Sequence, residues 1–388
     1  MLRTECGGCG HSGLTVFADL GETPLADVFA PTAEAARNLP RYRLRAATCD
    51  KCGLAQLLDV IPDKILWGAD YGFRTGGSPS SLAYMGELAR EAVAAVKGKG
   101  IVVDVGCNDG TLMDRLIHEY LGRDMVIGID PSGGPTGKSY LDGAILREPF
   151  TAAVAKGFEG EAALVTAVNV AAHVTDPHDF LEGIATLLAP DGVAVVEFQY
   201  LPDLLAGCMF DLIYHEHRFF YSLSTFEALA NQHGLYIRRW RHTQAQGGSY
   251  RMMLAKEGFV VIGGGEDLRG MLSGFQARAD YAKTRITDVV MDFHPAAVDG
   301  YAASAKSCSL LNFCGLGYPW IGRIVDATPS KDGRFAPGTG LPIVAATEHD
   351  PAAYLLLAAN YLGDIVRREQ AAGYKGRFIV PLPLPVIV

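Results

Sequence analysis

The chain has 388 residues, 49% of them hydrophobic, and this length predicts two or three domains, each with its own apolar core. A formal net charge of -9 argues against nucleic acid as a partner, because such binding depends on clustered lysine and arginine. A local basic pocket for a diphosphate is compatible with this net charge. Residues 1–6 lack the apolar region of a signal peptide, and no later window is as long and apolar as a membrane span. We therefore expect a soluble cytoplasmic protein without a membrane partner.

Two closely spaced cysteine pairs lie near the N-terminus. Two residues separate Cys6 from Cys9 and Cys49 from Cys52, so one turn of backbone can present both sulfurs of a pair to one ion. The pairs predict a structural zinc site, because four thiolates leave no open coordination position for catalysis. Redox or free thiols are the alternative, and a cytoplasmic setting disfavours disulfides. The remaining cysteines are expected to be ordinary packed residues: Cys107, Cys208, Cys308 and Cys314.

From residue 101 onward, apolar strands alternate with helices, which predicts a mainly parallel α/β sheet covered on both faces. The predicted strands are 101–105, 125–129, 164–168, 192–198, 235–240 and 249–254, and the predicted helices are 111–120, 177–188 and 224–233. A polar helical connector over 265–292 is followed by a second α/β unit. Its predicted elements are a strand at 297–301, a helix around 305–313 and a strand at 321–325.

A glycine-rich turn, Asp104-Val105-Gly106-Cys107-Asn108-Asp109-Gly110, closes the first of these strands and opens a helix. Ligands of α/β sheets bind at the carboxyl ends of the strands, so we expect a nucleotide-like ligand here, although a turn that serves only packing is the alternative. The turn is not G-x-G-x-x-G, which argues against a dehydrogenase. With Asp130 after the next strand, it resembles the S-adenosylmethionine site of class I methyltransferases. The predicted cofactor-binding residues are Asp104, Gly106, Asn108, Gly110, Asp130 and Asn169.

The segment Tyr214-His215-Glu216-His217 lies between the predicted strand 192–198 and the predicted helix 224–233. Phenol, imidazole and carboxylate groups supply the proton donors and acceptors that removal of a carbon-bound proton requires. A structural role is the alternative, since many class I methyltransferases have a histidine at this place. His173 follows the strand 164–168, between the expected cofactor and substrate, although capping of the loop before Pro177 explains it equally well. His178 is expected to be a solvated helix residue.

The order of these motifs resembles that of the sugar C-methyltransferases that act on nucleotide-linked 4-keto deoxysugars, such as the C-3'-methyltransferases of antibiotic deoxysugar pathways. The resemblance spans nearly the whole chain and includes the segments 20–26, 247–249, 303–306, 310–313, 337–339 and 378–383. It implies a small zinc-binding domain (1–68), a central class I, Rossmann-like methyltransferase domain (69–260) and a C-terminal Rossmann-like domain (261–388). The last domain is implied to help bind the nucleotide sugar.

The resemblance also implies a mechanism. A base removes the proton beside the sugar ketone, and the enolate takes the methyl group of S-adenosylmethionine, so neither a catalytic metal nor a redox cofactor is needed. His217 matches the base of the family. Tyr214, Glu216 and His173 are implied to orient groups or stabilise developing negative charge, while His215 is the less suitable histidine.

Tyr71 matches a further active-site tyrosine of the family, with Phe73 as a competing alignment. Ser304 and Lys306 begin the second α/β unit's helix and are predicted to hold phosphate, although a helix N-terminus satisfied by water is the alternative. Dinucleotide binding is not expected there, because a second glycine is missing.

Two departures from the family pattern favour a different substrate. Thr75-Gly76-Gly77-Ser78 replaces a serine-rich run, and Gln246 replaces a histidine. An O- or N-methyltransferase, in which His217 deprotonates a heteroatom, is the second hypothesis for the function. A non-catalytic module that binds zinc and a nucleotide is the third.

Overall fold

The structure is a computed structural model and describes residues 1–67, 74–120, 125–132, 144–258, 268–345 and 351–388. The predicted site residue Tyr71 and its alternative Phe73 lie outside these ranges. In chain order the strands are β1 (Leu14–Pro24), β2 (Arg41–Cys49), β3 (Ala55–Leu57), β4 (Ile101–Val105), β5 (Val126–Ile129), β6 (Ile145–Leu146), β7 (Ala162–Val168), β8 (Leu188–Gln199), β9 (Phe219–Phe220), β10 (Tyr236–Thr243), β11 (Ser249–Ala255), β12 (Val298–Tyr301), β13 (Ile321–Val325), β14 (Ile343–Val344), β15 (Ala353–Leu356), β16 (Arg377–Val380) and β17 (Val386–Ile387).

The α-helices are α1 (Ala33–Arg37), α2 (Asp63–Leu66), α3 (Pro79–Ala94), α4 (Thr111–Tyr120), α5 (Ala152–Ala155), α6 (Pro177–Leu187), α7 (Leu201–Ala206), α8 (Leu223–Gln232), α9 (Leu268–Leu272), α10 (Phe275–Met291), α11 (Ala305–Cys314) and α12 (Leu362–Ala371). No helix of the described ranges combines the length and the apolar character that a membrane crossing requires. The predicted strands and helices are therefore confirmed in kind and order. Where their boundaries differ, they shift by one to four residues, the largest shift being at β8, which begins at Leu188 instead of 192.

The N-terminal sheet is antiparallel and has the strand order β1-β2-β3-β9. Pairing of Leu14 with Cys49 brings the start of β1 to the end of β2, where the second cysteine pair lies. The last strand of the sheet, β9, immediately follows the Tyr214–Arg218 segment in sequence. The sheet that carries the cysteines is therefore joined directly to the segment that carries the predicted catalytic residues.

The central sheet has the order β10-β11-β8-β7-β4-β5-β6. Neighbouring strands from β4 to β8 pair in parallel, whereas β11 runs antiparallel to β8 and β10 antiparallel to β11. Because β4 and β7 are neighbours, the turns after them open at the same edge of the sheet. The glycine-rich turn and His173 thus lie at one edge, as the sequence predicts.

The C-terminal sheet has the order β14-β13-β12-β15-β16-β17, with β17 antiparallel to its neighbour. The region predicted as a polar connector contains α9 and α10, and the latter is not a mere connector. One face of α10 is buried through residues spaced three or four apart, as expected of a helix packed on a core: Phe275, Ala279, Ala282, Ile286 and Val290.

A single apolar core joins the N-terminal and C-terminal sheets. Phe17 of β1 packs edge-on against Phe275 of α10, with ring centroids 5.7 Å apart, and the same cluster extends to Leu44 and Ile324. The four cysteines outside the N-terminal pairs are buried, as expected for packed residues: Cys107, Cys208, Cys308 and Cys314. Because the two outer sheets share a core, they stabilise each other and enclose the segment between them.

Candidate active site

The four N-terminal cysteine sulfurs form one cluster. All lie within 4.8 Å of one another, with Cys6 Sγ 3.5 Å from Cys52 Sγ and Cys9 Sγ 3.6 Å from Cys49 Sγ. A tetrahedral ion with Zn–S bonds of about 2.3 Å sets sulfur atoms about 3.8 Å apart, so the donor set and its spacing fit zinc. This arrangement agrees with the predicted structural site of four thiolates.

Two histidines tie the cysteine cluster to the central domain. His178 Nε2 lies 2.8 Å from the carbonyl oxygen of Gly8, and His178 Nδ1 lies 2.9 Å from His233 Nε2. One proton arrangement satisfies both contacts: His178 donates to Gly8 and accepts from His233. The expectation that His178 is a solvated helix residue is wrong, since its ring is half-buried and bonded on both sides.

The glycine-rich turn adopts a backbone that few residue types tolerate. Gly106, Asn108 and Gly110 have φ values of 68°, 50° and 78°, in the left-handed region. A Cβ atom on Gly106 would lie 2.4 Å from Cγ2 of Val170, so the turn also passes very close to the loop after β7. Glycine is required here for both reasons.

Two carboxylates organise the turn. Asp130 Oδ2 accepts a hydrogen bond from Asn108 N at 2.9 Å, whereas Oδ1 accepts from both the backbone N (2.7 Å) and the hydroxyl of Ser132. Oδ2 therefore keeps a lone pair for a ribose hydroxyl. Asp104 accepts from Thr166 Oγ1 at 2.6 Å. Burial, opposed by this bond and reinforced by Asp130, raises the pKa of Asp104 to about 7.

Unpartnered buried atoms show that the turn fits a polar cofactor. Within the described ranges, Asp104 Oδ2 and Asn169 Oδ1 are buried and have no hydrogen-bond partner. Leaving such atoms unpaired is costly, and a bound molecule with donor groups would satisfy them. Asn169 is itself held at a φ of 58°. The predicted cofactor residues are thus brought together around one edge of the sheet.

Residues 75–78, which replace the serine-rich run of the family, contact this turn. Thr75 N donates to Asn108 Oδ1 at 3.0 Å, and Gly76 N donates to Asp109 Oδ2 at 2.8 Å. These residues therefore lie beside the predicted cofactor site, whereas their departure from the family pattern was expected to indicate a different substrate.

Tyr214 and His217 form a hydrogen-bonded pair inside the protein. The Tyr214 hydroxyl lies 2.6 Å from His217 Nε2, and His217 Nδ1 lies 2.8 Å from the carbonyl oxygen of Leu212. A carbonyl can only accept, so Nδ1 carries the proton and Nε2 presents its lone pair to the tyrosine hydroxyl. The imidazole is thereby oriented as a proton acceptor.

Burial keeps both members of this pair neutral. It lowers the pKa of His217 well below its ordinary value, with His173 and Lys306 adding to the effect. Burial also raises the pKa of Tyr214 well above its ordinary value, reinforced by the charges of Glu216, Asp27 and Asp211. A neutral phenol therefore faces a neutral imidazole.

His173 lies against the same imidazole. Its ring centroid is 4.9 Å from that of His217 and 5.5 Å from that of Trp67. Burial lowers the pKa of His173 to about 4, and Nδ1 is buried without a partner among the described residues. It does not cap the loop before Pro177, because the Asp176 side chain caps α6.

His215 points away from the pair. Its Nε2 lies 3.2 Å from the carbonyl oxygen of Arg43, and its ring packs edge-on against Tyr42. Glu216 is buried and its charge acts on Tyr214. The structure thus associates Glu216 with the pair and gives His215 a packing role.

Arg218, which the sequence reasoning missed, holds this segment in place. Its guanidinium is almost fully buried and donates to the carbonyl oxygen of Ile61 at 2.7 Å, to Asp63 Oδ1 at 2.5 Å and to Thr175 Oγ1 at 2.5 Å. It therefore links the N-terminal domain to the loop that carries His173. Its position directly after Tyr-His-Glu-His was the available signal.

The C-terminal domain contributes Lys306 to this neighbourhood. Lys306 Nζ donates to Asn360 Oδ1 at 2.9 Å and to the carbonyl oxygen of Gln246 at 3.4 Å, and burial lowers its pKa against the opposing charge of Asp211. Ser304 is the N-cap of α11 and exchanges side-chain hydrogen bonds with Ser307. The helix N-terminus is thus satisfied by its own side chains instead of by water alone.

Family models match the chain in three successive stretches. They describe a zinc-binding domain over residues 6–67, a methyltransferase domain over 82–239 and a C-methyltransferase C-terminal domain over 262–383. Together with the cofactor turn and the cysteine cluster, these matches define an S-adenosylmethionine-dependent methyltransferase with a structural zinc site.

The C-methyltransferase NovU of Streptomyces niveus is 31% identical over 412 aligned residues, which cover 99% of this chain and 96% of the relative. The chain belongs to the sugar C-methyltransferase family. Two solved structures are also similar. The 1,6-didemethyltoxoflavin-N1-methyltransferase of Burkholderia thailandensis is 15% identical with a TM-score of 0.36, and the match covers 45% of this chain and 79% of that chain. The magnesium protoporphyrin IX methyltransferase of Synechocystis PCC 6803 is 14% identical with a TM-score of 0.33, and the match covers 45% of this chain and 79% of that chain.

Proposed function

We propose that this enzyme methylates the carbon beside the ketone of a nucleotide-linked keto-deoxysugar. The neutral, hydrogen-bonded Tyr214–His217 pair, next to His173, carries the proposal. Removing a proton from carbon requires a base that is not already protonated, and burial provides this at neutral pH. S-adenosylmethionine supplies the methyl group that the resulting enolate carbon accepts.

In this proposal a proton passes from the substrate to Tyr214, and the proton of Tyr214 passes to His217. The C–H bond breaks and its electrons form the enolate, while the proton moves to the Tyr214 oxygen as the tyrosine's own proton passes to His217 Nε2. His217 is thus the final acceptor, in agreement with its predicted role as base. The Leu212 carbonyl, 2.8 Å from Nδ1, stabilises the imidazolium that forms.

His173 is proposed to orient the reacting groups. Its ring already hydrogen-bonds to the backbone of Glu216, and its Nδ1 is buried without a partner among the described residues, so a hydrogen-bonding group of the substrate would complete its contacts. Glu216 and Tyr71 remain proposed members of the site. Lys306 is proposed to exchange its present acceptors for a substrate phosphate, with Ser304 at the start of the same helix.

Hydrogen exchange into solvent tests this proposal. Incubated in deuterated water with a thymidine diphosphate-linked 4-keto-deoxysugar and S-adenosylhomocysteine, the wild type should introduce deuterium beside the ketone. His217→Asn should slow this exchange by at least about 100-fold, because general-base catalysis is lost. Mass spectrometry and NMR of the sugar measure the rate and the position.

His215→Asn is the matched control, because this neighbouring histidine bonds to a backbone carbonyl away from the pair. It should exchange at nearly the wild-type rate. Equal binding of S-adenosylhomocysteine by the variants checks that the fold is intact. Methyl transfer by the wild type without exchange under any cofactor condition would instead indicate methylation of a heteroatom.

A further inference from the structure

The C-terminal domain repeats the hydrogen bonds that shape the cofactor turn. In the central sheet, Gly106 N donates to the carbonyl oxygen of Ile129 at 2.8 Å, and Asp130 N donates to that of Leu146 at 3.0 Å. In the C-terminal sheet, Ala302 N donates to Val325 O at 2.8 Å and Asp326 N to Val344 O at 3.0 Å. In each sheet, the residue after the first strand therefore bonds to the end of the second strand, and the aspartate after the second strand bonds to the end of the third.

Backbone N–H groups hold the two carboxylates alike. Asp130 Oδ2 accepts from the turn at Asn108 N and Oδ1 accepts from Ser132 N, two residues further on. Asp326 Oδ2 accepts from the turn at Ala303 N (2.7 Å), and Oδ1 accepts from Thr328 N, also two residues further on (2.8 Å). Ala302, like Gly106, has a positive φ, of 78°, which is unfavourable for a residue with a Cβ atom.

We infer that Asp326 binds the furanose hydroxyl of the substrate's nucleoside, as Asp130 is predicted to bind the ribose of the cofactor. The inference rests on the proposed function, since it requires a nucleotide-linked substrate. Each Asp326 oxygen uses one lone pair on the backbone and keeps another for a hydroxyl donor. Asp326 lies after β13, beside the β12–α11 turn, where the crevice of an α/β sheet opens.

The groups around Asp326 suit a neutral hydroxyl better than a phosphate. Asp27, from the N-terminal domain, is half-buried and makes no hydrogen bond within the described ranges. Burial raises the pKa of Asp27, Asp326 adds to the rise and Lys331 opposes it. Lys331 Nζ lies 3.7 Å from Asp326 Oδ2 and donates to the carbonyl oxygen of Ala303. One ammonium beside two carboxyl groups leaves no excess positive charge for a diphosphate.

Asp27 also connects this place to the catalytic pair. Its charge raises the pKa of Tyr214, and its own pKa is influenced by Lys331 and Asp326. Lys306, whose charge adds to the lowering of the His217 pKa, lies in the first turn of α11, the helix that follows β12. In the inferred arrangement the ketone of the substrate lies at Tyr214, a phosphate at Lys306 and the nucleoside at Asp326.

Binding of nucleotides that differ in one hydroxyl tests the inference without any mutation. Isothermal titration calorimetry compares thymidine diphosphate with 3'-deoxythymidine diphosphate on the wild-type holoenzyme, and uridine diphosphate with its 3'-deoxy analogue. Loss of a hydrogen bond to a carboxylate should weaken binding at least about tenfold.

The variants Asp326→Asn and Asp130→Asn form a matched pair, because the two side chains make equivalent backbone contacts. In Asp326→Asn the tenfold preference for the hydroxyl should disappear, while affinity for S-adenosylhomocysteine stays near that of the wild type. Asp130→Asn should show the reverse. If Asp326→Asn fails to fold, the comparison of ligands on the wild type decides the matter.

Equal affinity of the wild type for both members of each nucleotide pair would overturn the assignment of Asp326, as would an unchanged preference in Asp326→Asn. Either result leaves the proposed substrate class intact. Failure of the wild type to bind thymidine or uridine diphosphate at all would instead contradict the nucleotide-linked substrate.

Discussion

The protonation states of single residues determine what this site can do. In water, a histidine with its ordinary pKa is partly protonated near neutral pH and a tyrosine is a poor proton acceptor. Burial shifts the His217 equilibrium toward the free base, and the Leu212 carbonyl selects the tautomer. In the proposed reaction, Tyr214 receives a proton from carbon because it can pass its own proton to this imidazole.

Burial of His173 should make stability depend on pH. Its pKa is about 4 in the folded protein and 6.5 as the reference value, so below pH 6.5 the unfolded chain binds more protons than the folded one. The stability that neutral His173 contributes is present above pH 6.5 and is lost as the pH falls toward 4. Between pH 7 and pH 5 the wild type should lose about 2 kcal/mol more than His173→Asn.

Urea unfolding of both proteins at the two pH values measures this difference. The comparison cancels contributions that both proteins share, including those of His215 and His233, whose pKa values burial also lowers. Parallel loss of stability in the wild type and the variant would mean that His173 titrates normally when folded.

At the scale of elements, the strand-to-helix turn after β4 depends on the close approach of the loop after β7. Gly106→Ala should destabilise the protein and weaken S-adenosylhomocysteine binding at least tenfold, about 1.4 kcal/mol, because its Cβ would lie 2.4 Å from Val170. Urea unfolding and calorimetry measure the two effects.

Gly160→Ala is the control. Gly160 has a similar φ of 72°, but a Cβ there meets nothing within 4 Å, so only the backbone strain of about 1–2 kcal/mol remains and cofactor binding is unaffected. If the two variants bind S-adenosylhomocysteine equally well, the turn does not approach its neighbour as closely as described.

At the scale of the whole molecule, the zinc site and the catalytic segment are mechanically connected. Cys49 ends β2, whose neighbour β3 pairs with β9, two residues after His217. Leu57 N also donates to the carbonyl oxygen of Arg218 at 2.9 Å. The metal is thus expected to support catalysis by holding this sheet together, although its four thiolate ligands leave it no direct part in the chemistry.

Cys49→Ser should therefore lose its zinc, unfold at a lower temperature and lose more methyl-transfer activity than affinity for S-adenosylhomocysteine, whose site is built on the central sheet. Metal analysis, thermal unfolding and calorimetry measure the three quantities. Cys308→Ser, which changes a buried cysteine outside the cluster, should keep its zinc. Full zinc content in Cys49→Ser would refute the four-thiolate site.

Much of the architecture could be read from the chain because local patterns specify it. The spacing of Cys6, Cys9, Cys49 and Cys52 and the glycines of the cofactor turn satisfy geometric requirements within a few residues of backbone. Apolar strands alternating with helices likewise define a parallel sheet and its carboxyl edge. The domain boundaries and the catalytic roles remain predictions.

Only the tertiary structure decided which distant groups meet. Arg218 bonds to the Ile61 carbonyl and to Asp63, and Asp27 influences the pKa of Tyr214 electrostatically, interactions that span long stretches of sequence and leave no local pattern. The direction of each pKa shift likewise depends on burial among residues from all parts of the chain. The sequence alone determined the parts and their chemistry, whereas packing of the outer sheets into one core determined which parts can act together.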